Sequence, residues 1–146
     1  MIKHYTGDIF TTTQPAMAHG CNTHGIMGSG IAKIIKDKFP EIYPPYAAAC
    51  AAGTFNVGDV LPTQTKSGFW IMNIASQDAP GANARLDWLE TSLDNAYRYL
   101  EDNKIKGIAL PRIGAGIGGL EWKDVIKVME KLDASHPDVL TEVWSL

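Results

Sequence analysis

Cysteine is scarce in this chain: Cys21 and Cys50 are the two, and they form no Cys-x-x-Cys pair. That excludes a disulfide-stapled scaffold and the common zinc-ligand spacings, and both thiols read as small buried apolar side chains. Long apolar runs are also missing. The longest is an alanine-rich stretch around Tyr46 to Ala52, far short of the roughly 20 residues of a membrane helix. The start, Met1 to Asp8, has neither an apolar h-region nor a small-residue cleavage site, so a cytoplasmic location is expected. Positive charge is not in excess, with 13 Lys and Arg against 16 Asp and Glu and a net charge of -3. Broad nucleic-acid binding depends on cations displacing counterions, so nucleic acid is not an expected partner. Any bound anion must instead be held locally by backbone N–H groups and helix N-termini. No Gly-x-x-x-x-Gly-Lys-Ser/Thr loop occurs, which removes the P-loop NTPases.

What is present is an ordinary globular composition, 45% hydrophobic and 20% charged over 146 residues. A chain of this length buries about 68–70% of its unfolded surface without help from a metal or a disulfide. No repeat or linker interrupts it, so a single domain over residues 1–146 is expected, and a monomer because no heptad seam or long apolar edge is evident. Strands are expected at Ile2 to Tyr5, Pro15 to Asn22, Val57 to Leu61, Phe69 to Ala75, Ile108 to Leu110 and Val139 to Trp144. From Gly30, the residues Ile31, Ile34, Ile35 and Phe39 share one helical face, and Pro40 stops that helix. Pro44-Pro45 can open the next helix, with Gly53 as its C-terminal cap. Leu86 to Leu100 and Trp122 to Leu132 carry the apolar stripes of two longer helices. Strands alternating with helices in this way predict an α/β fold, a three-layer α/β/α sandwich with a mixed, largely parallel sheet.

Two glycine-rich segments, Gly25 to Gly30 and Gly114 to Gly119, each follow an expected strand and lead into an expected helix. That places both at the carboxyl ends of strands and aims free N–H groups at one crevice, the signature of an anionic ligand. Gly114, Gly116 and Gly119 match Gly-x-Gly-x-x-Gly, but only one helix and one strand remain after them, so a dinucleotide-binding Rossmann unit does not fit.

Gly7-Asp8-Ile9, the stretch from Ala18 through Asn22 to Ala32, and the stretch from Leu110 to Trp122 together resemble a macro domain. The likeness is close to the branch that includes the terminal ADP-ribose protein glycohydrolase and the yeast-type ADP-ribose 1''-phosphate phosphatase. The resemblance implies a mixed sheet between helices and a crevice for ADP-ribose across the strand ends, with no cofactor and no metal. It assigns Asp8 and Ile9 to adenine, Asn22 to the distal ribose, and Gly28, Ser29, Gly30 and Ile31 to the diphosphate and ribose. Gly114, Ala115, Gly116, Ile117 and Gly118 resemble the second phosphate loop, with Arg112 adding charge. Leu146 is expected as an apolar wall of the adenine pocket.

The glycohydrolase branch uses a lysine at the end of the central strand and an aspartate in the second glycine loop. Here those regions read Ser76-Gln77-Asp78 and Gly118, so both groups are missing and a Schiff-base route loses its amine. The phosphatase branch shares Cys21-Asn-Thr, and His24 is the residue expected to move a proton, with Asn22 orienting the ribose. Asp78 stands in reserve, and His19 is expected to be a satisfied core histidine. Tyr43, Tyr46, Trp122 and Trp144 fall at packing positions. The expected activity is a metal-independent ADP-ribose 1''-phosphate phosphatase. A non-catalytic reader of ADP-ribose or of ADP-ribosylated proteins, and a hydrolase of ADP-ribosylated carboxylates, remain as alternatives.

Overall fold

The computed structural model describes residues 2–146. Six strands form one sheet: β1 (Ile2–Thr6), β2 (Ala16–Cys21), β3 (Val60–Gln64), β4 (Trp70–Ala75), β5 (Gly107–Leu110) and β6 (Leu140–Ser145). Their spatial order is β1-β6-β5-β2-β4-β3. Every neighbouring pair is parallel except β3 with β4, so the sheet is mixed and largely parallel as expected. Four helices cover it: α1 (Gly30–Lys38), α2 (Tyr43–Ala51), α3 (Leu86–Asp102) and α4 (Trp122–Ser135).

The central strands are continuous apolar runs because both of their faces are covered. Ala16, Ala18, Met72, Ile74, Ile108 and Leu110 join the core that includes Leu89, Leu93 and Leu100 of α3 and Val125, Met129 and Leu132 of α4. Met17, Cys21, Ile71, Ala75 and Ala109 face the other way, into a second core with Ile35 of α1 and Ile42, Tyr46 and Phe55. This alternation along each strand produces the three layers. His136, just after α4, lies 2.7 Å from both Asp94 and Glu101 of α3 and stacks on Tyr97, tying the two helices of one layer together.

Three expectations are corrected. The third strand begins at Val60 rather than Val57, because residues 56–59 form a turn. In it Asp59 accepts the Asn56 N–H at 2.8 Å, and Gly58 sits at φ +90. Pro62 is tolerated within the strand because β3 is a sheet edge, with no neighbour beyond it to need an N–H. Ile34 does not join the core with Ile35; it is 47% exposed, on the flank of α1 that borders a cleft. Cys50 is only half-buried, whereas Cys21 is buried.

Candidate functional site

The five parallel strands end on one side of the sheet, where a cleft of about 930 Å³ opens. Its floor follows the strand order: Gly7 and Asp8 beyond β1, Trp144 and Ser145 of β6, Pro111 and Arg112 beyond β5, Gly20 to Asn22 at β2, and Ser76 and Gln77 beyond β4. Four inter-strand steps of roughly 4.8 Å give a trough about 19 Å long, suited to an extended ligand of several linked groups. Its position outside the carboxyl ends of parallel strands is where α/β sheets bind ligands.

Two glycine loops wall the trough. In the first, Gly28, Ser29, Gly30 and Ile31 line the cleft as α1 begins. Ser29, the N-cap, makes no side-chain cap bond, so the first N–H groups of α1 keep their capacity for an anion. In the second loop, Leu120 N–H donates to Gly114 O at 2.7 Å, Ala115 N–H to Arg112 O and Gly119 N–H to Gly116 O. The N–H groups of Gly116, Ile117 and Gly118 have no acceptor among the described residues. Gly114 is favoured as glycine by its φ of +76, and a Cβ there would also press on the tip of Leu120, 2.8 Å from its Cδ1. Ile117 reaches across the trough, its Cδ1 lying 3.0 Å from where a Cβ on Gly30 would stand, so the two loops meet over the middle.

The side chains expected in the site separate into two groups. Asp8, Ile9, Asn22, Arg112, Gly114, Gly116, Ile117 and Gly118 line the cleft together with the first loop and Leu146. Asp8 also caps a short 3-10 turn at Ile9–Thr11, its Oδ1 accepting the Phe10 N–H at 2.9 Å, which leaves Oδ2 for a ligand. Ala115, His24 and Asp78 are not among the lining residues. The cause for His24 is local. Asn22 Oδ1 accepts the N–H of His24 at 3.0 Å and of Ile26 at 3.3 Å, and this turn carries residue 24 outward to an exposed position. Asp78 acts through its carbonyl, which accepts both the N–H and the hydroxyl of Thr23, fastening the loop after β4 to the loop after β2.

Several residues that shape the cleft carried no motif. Tyr46 donates its hydroxyl to Asn22 O at 2.7 Å, and Tyr43 donates to Gly25 O at 2.7 Å, so α2 holds the first loop from below. Burial pushes the Tyr46 phenol well up, which keeps it a donor. Trp144 lies in the cleft wall, stacked on Tyr5 with ring centroids 4.8 Å apart. Its indole N–H donates to Glu142 Oε1 at 2.9 Å. Buried Glu142 also accepts from Thr12 at 2.7 Å and Gln14 at 3.0 Å. Burial raises the Glu142 carboxyl, but these bonds, with Lys3 nearby, outweigh it and hold the group below the ordinary 4.5. Such positions read in sequence as core aromatics or strand polars, so only their spacing to the glycine loops could have marked them.

At the β4 end, Gln77 lines the cleft within the segment Ser76 to Asp78, which holds no lysine. Its Nε2 donates to Ala79 O at 2.7 Å and Gly81 O at 3.2 Å, bracing its own loop. Beside it, Ser76 Oγ is fully buried with no hydrogen-bond partner among the described residues. A Cβ on Gly20 would come within 2.6 Å of that oxygen. His19 lies under the floor, where burial drives its pKa down to about 4 and the Asn73 hydrogen bond restores part of the loss. Burial likewise pushes the adjacent Cys21 thiol up, away from thiolate chemistry.

Fold and cleft together define an α/β/α protein built to hold an extended anionic ligand on backbone N–H groups. The Macro domain family model matches residues 18–129, and the chain belongs to that family. The chain is 29% identical over 142 residues to the DNA ADP-ribosyl glycohydrolase of Mycobacterium tuberculosis, covering 95% of this chain and 40% of that protein. It thus spans about two fifths of the length of that curated relative. With the ADP-ribose 1''-phosphate phosphatase of Candida albicans it shares 29% identity over 153 residues, covering 95% and 98% of the two chains. The solved macrodomain of Mycobacterium tuberculosis DarG superposes with a TM-score of 0.92 at 28% identity, covering 100% of this chain and 98% of that one. No helix among the described residues is long and apolar enough to cross a membrane.

Proposed function

We propose that the chain binds ADP-ribose along the trough and hydrolyses ADP-ribose 1''-phosphate to ADP-ribose and phosphate. The observation that carries this reading is the pairing of two loops whose free N–H groups face one crevice over the strand ends. Adenine lies at the β1 end against Asp8 and Ile9, the diphosphate between the loops, and the distal ribose beside Asn22. The 1''-phosphate then reaches the β4 end, near Ser76 and Gln77.

In the reaction, water adds to phosphorus, the bond from phosphorus to the anomeric oxygen breaks, and a proton goes to that oxygen. The chain contributes positioning and N–H donors to a phosphoryl group whose charge shifts toward the leaving oxygen. Among the described residues no lysine lines the β4 end, so the route is direct attack by water rather than a covalent lysine intermediate. Phosphate-monoester hydrolysis is very slow uncatalysed, so positioning alone supports a slow enzyme.

A second reading, hydrolysis of the bond between ADP-ribose and DNA, is favoured by the likeness to the mycobacterial glycohydrolase and its macrodomain. One experiment separates the two. Phosphorus NMR follows ADP-ribose 1''-phosphate, and gel mobility follows an ADP-ribosylated single-stranded oligonucleotide, each with wild type and Asn22→Ala. Phosphate release that Asn22→Ala abolishes supports the phosphatase. Release from DNA alone replaces it with the glycohydrolase, and binding of ADP-ribose with no product from either makes the chain a reader.

A further inference from the structure

We propose that Arg112 makes this cleft selective for ADP-ribose that carries a phosphate on its adenosine ribose, ADP-ribose 2'-phosphate. The proposal rests on the ADP-ribose reading above and adds a ligand class to it.

Position is the first argument. Arg112 follows β5, and Ser145 ends β6, the strand lying between β5 and β1. Gly7, at the β1 end, donates its N–H to Ser145 O at 2.7 Å. Along the trough the guanidinium therefore stands between Asp8, at the adenine end, and the loop from Gly114 to Gly118 that faces the diphosphate. In ADP-ribose the group between adenine and diphosphate is the adenosine ribose.

The second argument is charge. Arg85 pairs with Asp87 and Arg98 with Asp94, at 3.6 and 3.1 Å. Arg112, the third arginine, has no carboxylate partner among the described residues, in a chain where acids outnumber bases.

The third argument is preorganisation. The Arg112 guanidinium carbon lies 4.7 Å from the Trp122 ring centroid, and Nε donates to Ser145 Oγ at 3.1 Å. These contacts use one face of the plane and one of its five N–H donors. The side chain is held in place at the cleft wall with neither amino group bonded among the described residues, so a ligand need not order a free arginine. A planar fork with paired N–H donors matches a phosphate monoester in bidentate fashion. A ribose hydroxyl alone would use little of that capacity. Arginine fulfils this role for 2'-phosphate in dinucleotide folds of different architecture.

Calorimetric titration with ADP-ribose and with ADP-ribose 2'-phosphate tests the proposal through the ratio of the two affinities. Wild type is expected to bind the 2'-phosphate about tenfold more tightly. In Arg112→Ala the ratio falls to about one, whatever happens to ADP-ribose itself. Arg112→Lys, which keeps the charge and loses the fork, gives an intermediate ratio. A ratio of one in wild type, or a preference that survives in Arg112→Ala, overturns the proposal while leaving the ADP-ribose reading intact. Failure of wild type to bind either ligand overturns both.

Discussion

The buried histidine under the cleft gives the sharpest test of the fold's electrostatics. Asn73 Nδ2 donates to Leu61 O at 2.9 Å, which turns Asn73 Oδ1 toward His19 at 2.7 Å. His19 Nε2 therefore carries the proton toward Asn73, and the Cys21 sulfur is the neighbour of Nδ1 at 3.8 Å, lying 3.4 Å from Nε2. Protonating Nδ1 would place an imidazolium in a fully buried site with no carboxylate bonded to it, and the native pKa falls from 6.5 to about 4. The unfolded chain takes up a proton at about 6.5 and the native one only near 4, so the unfolded state binds more protons between those values. The stability contributed by neutral His19 is full above pH 6.5, declines as pH falls from 6.5 toward 4, and is exhausted below that. At 1.36 kcal/mol per pKa unit the loss is about 3 kcal/mol, or about 10 °C of Tm for a chain of this size. Thermal melts of wild type and His19→Gln at pH 7.5 and pH 4 isolate the effect, because every other titrating group cancels in the difference. The stability advantage of wild type should shrink by about 3 kcal/mol at the lower pH. An advantage that stays constant across the range would refute the buried neutral histidine.

Three further outcomes follow from named contacts. Glu142→Gln turns one acceptor oxygen into a donor facing Gln14, costing about 1.5–3 kcal/mol at pH 7. Because the native carboxyl titrates below 4.5, wild type loses this advantage as pH falls through that lower value, and melts at successively lower pH below 4.5 should show the gap narrow. Gly20→Ala forces a Cβ to 2.6 Å from Ser76 Oγ and 3.2 Å from Ile113, for a cost of about 1–3 kcal/mol. Ser76→Ala alone removes an unpartnered hydroxyl and is neutral or stabilising, and the double variant recovers most of the Gly20→Ala loss; a denaturant double-mutant cycle that is additive would refute the clash. Asn22→Ala breaks bonds to His24, Ile26 and Tyr46, so it should cost about 2–4 kcal/mol and at least tenfold in ADP-ribose affinity. Urea titration of both variants checks this: Asn22→Asp, which keeps the acceptor oxygen, should lose less stability than Asn22→Ala.

The layers of the fold were legible because the strands that matter most are buried on both faces. Ile71 to Ala75 and Ala16 to Ala18 read as apolar runs, and they are the centre of the sheet. The two glycine loops were legible for a related reason: glycine at those places answers to backbone geometry that local sequence can show, as Gly114 does. The edge strand was misplaced by three residues because Pro62 and the turn at residues 56–59 argue against each other locally, and only the antiparallel pairing with β4 decides between them. His24 read as a proton donor because it follows Asn22 closely. The direction it takes is set by Asn22's bonds to the backbone, and those depend on Tyr46, which is distant in sequence. Ile34 shows the same limit, since helical periodicity places a residue on a face without telling whether that face meets a core or the wall of a cleft.

The distribution of cations along the trough bears on which chemistry this chain can perform. Lys38 and Arg112 both line the cleft, and neither stands at the β4 end. Lys38 lies at the end of α1 with its Nζ 5.1 Å from the Phe10 ring, two residues from Asp8, while Arg112 is fixed between Trp122 and Ser145. At the opposite end the groups are Gln77, committed to its own loop, and the neutral hydroxyl of Ser76. Positive charge is thus concentrated at the end where the proposed reading places adenosine and is sparse where it places the bond that breaks. On the proposed reading, such a chain gains selectivity from its adenosine end and leaves the reaction to a water molecule and to the N–H donors around the transferred group. Placing an amine at the β4 end tests that division directly. If position is all that the covalent route lacks, Gln77→Lys should condense through its Nζ with the ring-opened aldehyde carbon of ADP-ribose, losing that oxygen as water, and borohydride should reduce the imine to an amine seen as a mass increase. The absence of any adduct at saturating ADP-ribose would show that the β4 end lies too far from the distal ribose, and the ordering of groups along the strand ends would have to be abandoned.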